Sequence, residues 1–122
     1  MAKVERFEDL LCWQKSRELV KTIYQISSSG ELSRDFDLRA QFRRAGLSTM
    51  NNIAEGFSRF SRKEFIRFLD YSSSSCGEIK SMIYVLEDLN YVKKEELVKL
   101  QALVDDTRNL TLGFIRYLVK QQ

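Results

Sequence analysis

Apolar residues recur at three- and four-residue steps through four stretches of the chain, the spacing that lines one face of a helix. In the first, Trp13, Ser16, Leu19, Val20, Ile23 and Ile26 form a stripe within a helix expected over about residues 9–28. Ser27-Ser28-Ser29-Gly30 then supplies a stop, because serine hydroxyls compete for backbone hydrogen bonds and Gly30 suits a left-handed cap. A second helix is expected over 36–57, along Leu38, Phe42, Ala45, Thr49, Ile53 and Phe57. Ser58-Arg59-Phe60 leads to Ser61-Arg62-Lys63-Glu64, a capping-box pattern in which Ser61 and Glu64 each satisfy an orphan backbone N–H.

The third helix, expected over 62–90, carries Phe65, Leu69, Ser72, Cys76, Ile79, Ile83 and Leu86 in alternating steps of four and three, the rhythm of packed bundle helices. The serine run Ser72-Ser73-Ser74-Ser75 lies in phase with that rhythm and reads as helix, its hydroxyls free to bond back to i−4 carbonyls and its small side chains admitting a close neighbour. After the break Asn90-Tyr91-Val92-Lys93, a fourth helix over 94–119 continues with Leu97, Leu100, Val104, Thr107, Thr111, Phe114 and Leu118. Strand-like alternation appears nowhere over a useful length. Short connections make successive helices antiparallel, so the expected fold is all-α: an antiparallel up-down-up-down four-helix bundle forming a single domain over 1–122.

Composition narrows the chemistry. The chain has no histidine, which removes Ser-His-Asp and Cys-His devices, the imidazole base and the commonest zinc and iron ligand. Di-metal sites of helical bundles need Glu-x-x-His pairs, and carboxylates such as Glu55, Asp70 and Glu78 show no spacing that demands a metal. No catalytic residue, metal, cofactor or small-molecule substrate is therefore expected. With no proline and 5 glycines, long helices are favoured over loop-rich folds. Cys12 and Cys76 form no CxxC pair and suit a reducing compartment. The charged opening Met1–Glu8 gives no sign of a secretory leader, and apolar runs such as Met82–Leu86 fall far below the ~20 residues of a membrane span. A cytoplasmic protein with no membrane partner is expected.

Charge is distributed unevenly. Residues 34–67 hold eight basic side chains, seven of them arginine, against four acidic ones, while the remainder holds 12 basic and 13 acidic; the net charge of +3 thus originates in the middle section. Arginine's flat fork matches phosphate, which makes Arg39, Arg43, Arg44, Arg59, Arg62 and Lys63 a candidate polyanion surface. The competing reading is ion pairing with neighbouring carboxylates. Phe57, Phe60, Phe65 and Phe68 interleave these cations and read as core anchors and helix-junction packing rather than as base-stacking platforms. Arg44, Ser48, Asn52 and Glu55 share a face beside the apolar stripe of the second helix, where Glu55 could accept from Arg44 or from serine hydroxyls and fix register against the third helix.

The run Asn52-Ile53-Ala54-Glu55-Gly56, with Gln41-Phe42-Arg43-Arg44-Ala45 before it and Arg59 after it, resembles the 23S rRNA intervening-sequence proteins, a bacterial four-helix-bundle family. Further matching segments are Phe7-Glu8-Asp9-Leu10 with Trp13-Gln14-Lys15, Glu64-Phe65 with Phe68-Leu69, Ser75 with Glu78, and Leu89-Asn90-Tyr91-Val92. The resemblance implies a bundle that assembles into a ring-like homopentamer, from a family often encoded in insertions of 23S rRNA genes and without an established molecular activity. It also implies a likeness of architecture to the pentameric, nucleic-acid-binding accessory variability protein of diversity-generating retroelements, which bears on fold rather than function. Arg43, Arg44, Asn52, Glu55, Arg59 and Glu78 match the family's polar positions, whereas Ser16 and Ser72 stand where the family has alanine and Ser74 where it has glycine.

Together these features point to a non-enzymatic oligomeric helical-bundle protein that contacts RNA or DNA through an arginine-rich face on the second helix and the following loop. The alternative is a protein-interaction scaffold in which the polar motif of Arg44, Ser48, Asn52, Glu55 and Glu78, with the arginines, makes contacts between subunits or with a partner protein.

Overall fold

The computed structural model describes residues 4–121. Four helices account for most of it: α1 (Leu11–Ser27), α2 (Phe36–Phe57), α3 (Arg62–Asp88) and α4 (Lys94–Lys120), with no strand among the described residues. α2 packs on α1 and α3, and α4 packs on α3 and closes back on α1. The first turn of α1 meets the last turns of α2 and α4 and the first of α3 in one cluster, the pairing that an up-down-up-down order produces.

The first helix starts later than its periodicity suggests. Phe7–Asp9 forms a separate 3-10 turn, and Leu10 is extended (φ −77, ψ 127) before α1 begins. Leu10 at this break is buried in the same core cluster as Trp13. Gly30 does take positive φ (+67), yet it opens a further 3-10 turn, Glu31–Arg34, whose Leu32 is fully buried. Asp35 then caps α2, its Oδ1 accepting from the Leu38 N–H at 3.2 Å. At the start of α3 only half of the expected capping box forms: Ser61 Oγ accepts from the Glu64 N–H at 3.3 Å, while the Glu64 carboxylate turns outward to Arg67 at 2.8 Å. Arg67 offers a charged donor where the box offers a neutral N–H, so the ion pair takes the carboxylate. α3 ends two residues short of expectation, with the N–H groups of Asn90 and Tyr91 returning to the carbonyls of Glu87 and Leu86, a Schellman motif with Asn90 at φ 56.

The stripes pack inward as the spacing predicts, but they form two cores. Leu19, Ile23, Leu32, Phe42, Ile79, Ile83, Leu86, Leu97, Leu100 and Val104 fill one end. Leu10, Trp13, Ile53 and Leu69 fill the other, with Phe7, Phe57, Phe65 and Phe114 packed edge-on around them. Between these clusters along the helices lie the buried hydroxyls of Ser16, Thr49, Ser72, Thr107 and Thr111. Most bond to their own helix, Ser16 to Cys12 O at 2.8 Å and Thr107 to Leu103 O at 2.7 Å. Ser72 instead donates across to the Thr49 carbonyl of α2 at 2.7 Å, and no buried side-chain polar atom among the described residues lacks a partner.

Candidate nucleic-acid interface

α2 rises about 1.5 Å per residue, so Arg39 near its start and Arg59 just past its end lie roughly 30 Å apart. The six cations singled out by sequence therefore fall into three groups instead of one face. Arg39 and Arg43 are half-buried at the α1–α2 end. Arg39 donates to the Ser33 carbonyl at 2.8 Å and lies over the Phe36 ring. Arg43 Nε donates to Ser27 Oγ at 2.8 Å, Nη2 reaches Ser28 Oγ at 3.2 Å, and the guanidinium stacks 4.4 Å from the Tyr24 centroid. Its donors are directed at the C-terminus of α1, which makes it a clamp between two helices.

Arg44 is exposed on the α2–α3 side, where it lines a shallow depression with Gln41, Ala45, Ser48 and Glu78. The expected polar network forms here with different partners. Ser48 and Ser75 share a hydrogen bond at 2.7 Å across the helix pair, and Asn52 Nδ2 donates to Ser48 O and Oγ at 2.8 and 2.9 Å. Glu55 takes no part, because its carboxylate faces Arg59 one turn on, at 3.5 Å. Ser75, rather than Glu55, is the residue that links the motif to α3.

Arg59, Arg62 and Lys63 are exposed together at the α2–α3 turn. Arg59 leans on the Phe68 ring at 4.9 Å and its pair with Glu55 is open to solvent on both sides. Among the described residues, no carboxylate lies within ion-pairing distance of Arg62 or Lys63. Of the interleaved aromatics, Phe57 and Phe65 are core residues as expected and Phe68 lies half-buried beneath Arg59 and Arg67. Phe60 is the exception. Its side chain is 97% exposed and its backbone is left-handed, φ 56. The signal was available in the sequence, since Phe60 sits between a helix stop and a capping box, off every apolar stripe and between arginines on either side.

Nothing in this arrangement supplies an activated nucleophile. Burial pushes the thiols of Cys12 and Cys76 up to about 11, which leaves them protonated and inert near neutral pH. Among the described residues no group of three or more Cys, Asp or Glu side chains is placed to hold a metal ion, and no helix is long and apolar enough to cross a membrane.

Comparison with known proteins adds a family. The 23S rRNA-intervening sequence proteins match residues 8–113. A solved structure of a protein with unknown function from the S23 ribosomal protein family of Bacteroides thetaiotaomicron VPI-5482 shares the fold, with a TM-score of 0.78 at 22% identity, over 86% of this chain and 98% of that one. No curated protein matches the chain.

Proposed function

The chain belongs to the 23S rRNA-intervening sequence protein family, and from that premise we propose that it is a non-catalytic helical-bundle protein of the cytoplasm that contacts RNA or DNA through the cations of the α2–α3 turn. The observation that carries this reading is the cluster of exposed Arg59, Arg62 and Lys63, two of which have no carboxylate partner among the described residues. Cations that neutralise phosphates release condensed counterions, so the affinity is set by salt. Arg39 and Arg43, engaged at the opposite end, contribute to stability instead.

Fluorescence anisotropy of labelled structured RNA and duplex DNA across a salt series tests this. Binding is expected to weaken on a log–log plot with about 0.9 of a unit per neutralised duplex phosphate, a slope of roughly −2 to −3 for three cations. Arg59→Glu with Arg62→Glu and Lys63→Glu should abolish it with the helical CD spectrum intact. Binding that survives the triple variant would sink the assignment.

A second reading is favoured by the depression between α2 and α3, where exposed Arg44 and Glu78 lie on one surface with no ion pair to each other within 4.0 Å. Opposite charges so placed suit contact with a second copy of the chain, and a homo-oligomer, a pentamer by resemblance, is the assembly we propose for this face. Sedimentation should show Arg44→Glu dissociating the assembly and Glu78→Arg restoring it in the double variant. A mass unchanged by either variant would remove this contact.

A further inference from the structure

Among the described residues, Gly30, Asn90 and Phe60 take positive φ, each in a turn or loop. Glycine and asparagine are the residues that tolerate this conformation, whereas other L side chains bring Cβ against the carbonyl oxygen. The α3–α4 turn thus uses asparagine for the same φ of 56 at which the α2–α3 turn uses phenylalanine. Packing does not account for the choice, because the ring is 97% exposed and belongs to neither core cluster. A large apolar ring held in solvent by a strained backbone is costly twice, and such cost concentrates where a residue meets a ligand.

The surroundings say which ligand. Phe60 lines an open, mostly apolar depression of about 500 Å³ with Phe57, Phe65 and Leu118, whose charged lining is Arg62 and Glu5. Arg59 precedes the ring, and Arg62 and Lys63 follow it. Aromatic faces flanked by cations are how proteins hold single strands: the cations track phosphates while each ring takes a base, a stacking contact open to any base. A duplex offers phosphates but keeps its bases stacked on one another.

We infer that Phe60 is a stacking platform for an unpaired base of RNA or DNA, with Arg59, Arg62 and Lys63 holding the phosphates on either side. This rests on the nucleic-acid reading above and sharpens it to single strands, loops or bulges. Arg59 becomes available at little expense, since an exposed ion pair such as that with Glu55 contributes little.

The test compares fluorescein-labelled oligo(U) of about 12 nucleotides with a duplex RNA of similar length at low salt, for the wild type, Phe60→Asn and Phe60→Trp. The wild type should prefer oligo(U). Phe60→Asn should lose about 5- to 140-fold of that affinity, the worth of one stacked base, while duplex binding is unchanged. Phe60→Trp should retain it, with fluorescence of the new indole quenched on binding. Melting of Phe60→Asn should occur a few degrees higher, since asparagine suits the backbone there. If Phe60→Asn binds oligo(U) as well as the wild type, the stacking platform is wrong and the phosphate contacts stand. If neither nucleic acid binds at low salt, both readings fail. If Phe60→Asn melts lower and sediments as a smaller species, Phe60 packs against a second copy and the inference is overturned.

Discussion

Single atoms decide how closely α2 and α3 approach. A Cβ on Gly56 would stand 2.7 Å from Phe68 Cβ and 3.3 Å from the Phe65 carbonyl oxygen, atoms that cannot swing aside. Gly56→Ala is expected to cost about 1–3 kcal/mol of overpacking, lowering Tm by roughly 5–10 °C in thermal denaturation. Gly77 sits in α3 with nothing within 4 Å of its virtual Cβ, so Gly77→Ala should stabilise by up to about 1 kcal/mol through helix propensity. The same residue type in neighbouring helices therefore shifts Tm in opposite directions, and similar effects at both sites would refute the packing account. Asp105 offers a charge test. Its hydrogen bond from Lys80, 2.7 Å away, holds the carboxyl below the usual carboxylate range. A depressed folded pKa contributes stability above the unfolded value of about 3.9 that disappears as pH falls through the folded value. Urea melts of wild type and Asp105→Asn should thus converge between about pH 5 and pH 2, by a small amount because both side chains are partly open to solvent, which screens the pair. A constant gap across that range would exclude the linkage. At this scale the sequence was partly legible. Stripe positions such as Phe42, Ile79 and Leu100 announce their burial by period, but which carboxylate Arg59 meets depends on rotamers that no period encodes.

Helices 2 and 4 fall where their patterns place them, because strong periodicity and clear breaks agree along their length. The departures are at ends and junctions. Leu10 and Leu32 are pulled into the core by turns that periodicity does not register, and the Glu64 half of the capping box is lost to Arg67. One junction ties two elements that are distant in sequence: Asp35 caps α2 through Oδ1, and its Oδ2 accepts from the Tyr91 hydroxyl of the α3–α4 turn at 3.2 Å. Ser61, by contrast, caps α3 through a single bond. Ser61→Ala should cost about 0.5–2 kcal/mol, and Asp35→Ala more, since it also frees Tyr91. A double-mutant cycle of Asp35→Ala with Tyr91→Phe is expected to show coupling of at least about 0.5 kcal/mol in chemical denaturation. Strict additivity would mean that the two turns are stabilised separately.

Across the whole molecule the two apolar clusters are joined through a waist of small hydroxyl residues, and its bonding is lopsided. Thr49, Thr107 and Thr111 return their hydrogen bonds to their own helices, satisfying the hydroxyl without naming a neighbour. Ser72 to the Thr49 carbonyl and Ser48 to Ser75 both join α2 to α3, whereas α1 meets α2 through Arg43 on Ser27, beyond the waist, and α4 meets α3 through the Lys80–Asp105 pair. The α2–α3 hairpin is therefore the pair that the waist hydroxyls specify directly, with α1 and α4 tied to it by burial and by one polar clamp each, Arg43 on Ser27 and Lys80 on Asp105. Opening free energy follows such local density of contact, so native-state hydrogen exchange should give the greatest protection to the middle of α2 and α3 and the least to Phe7–Leu10 and Glu31–Arg34. Ser72→Ala should remove about 1 kcal/mol from that protected core by leaving one cross-helix bond unmade, whereas Thr111→Val should stay near neutral, since the Thr107 carbonyl it leaves keeps its backbone bond within α4. Equal protection along all four helices, or an equal effect of the two substitutions, would mean that the hairpin is not the organising unit. The cation-bearing turn lies at one tip of that hairpin. A nucleic-acid contact made there would be carried by two helices that hydrogen bonds join at mid-length, which is how a small bundle can hold a fixed arrangement of charge.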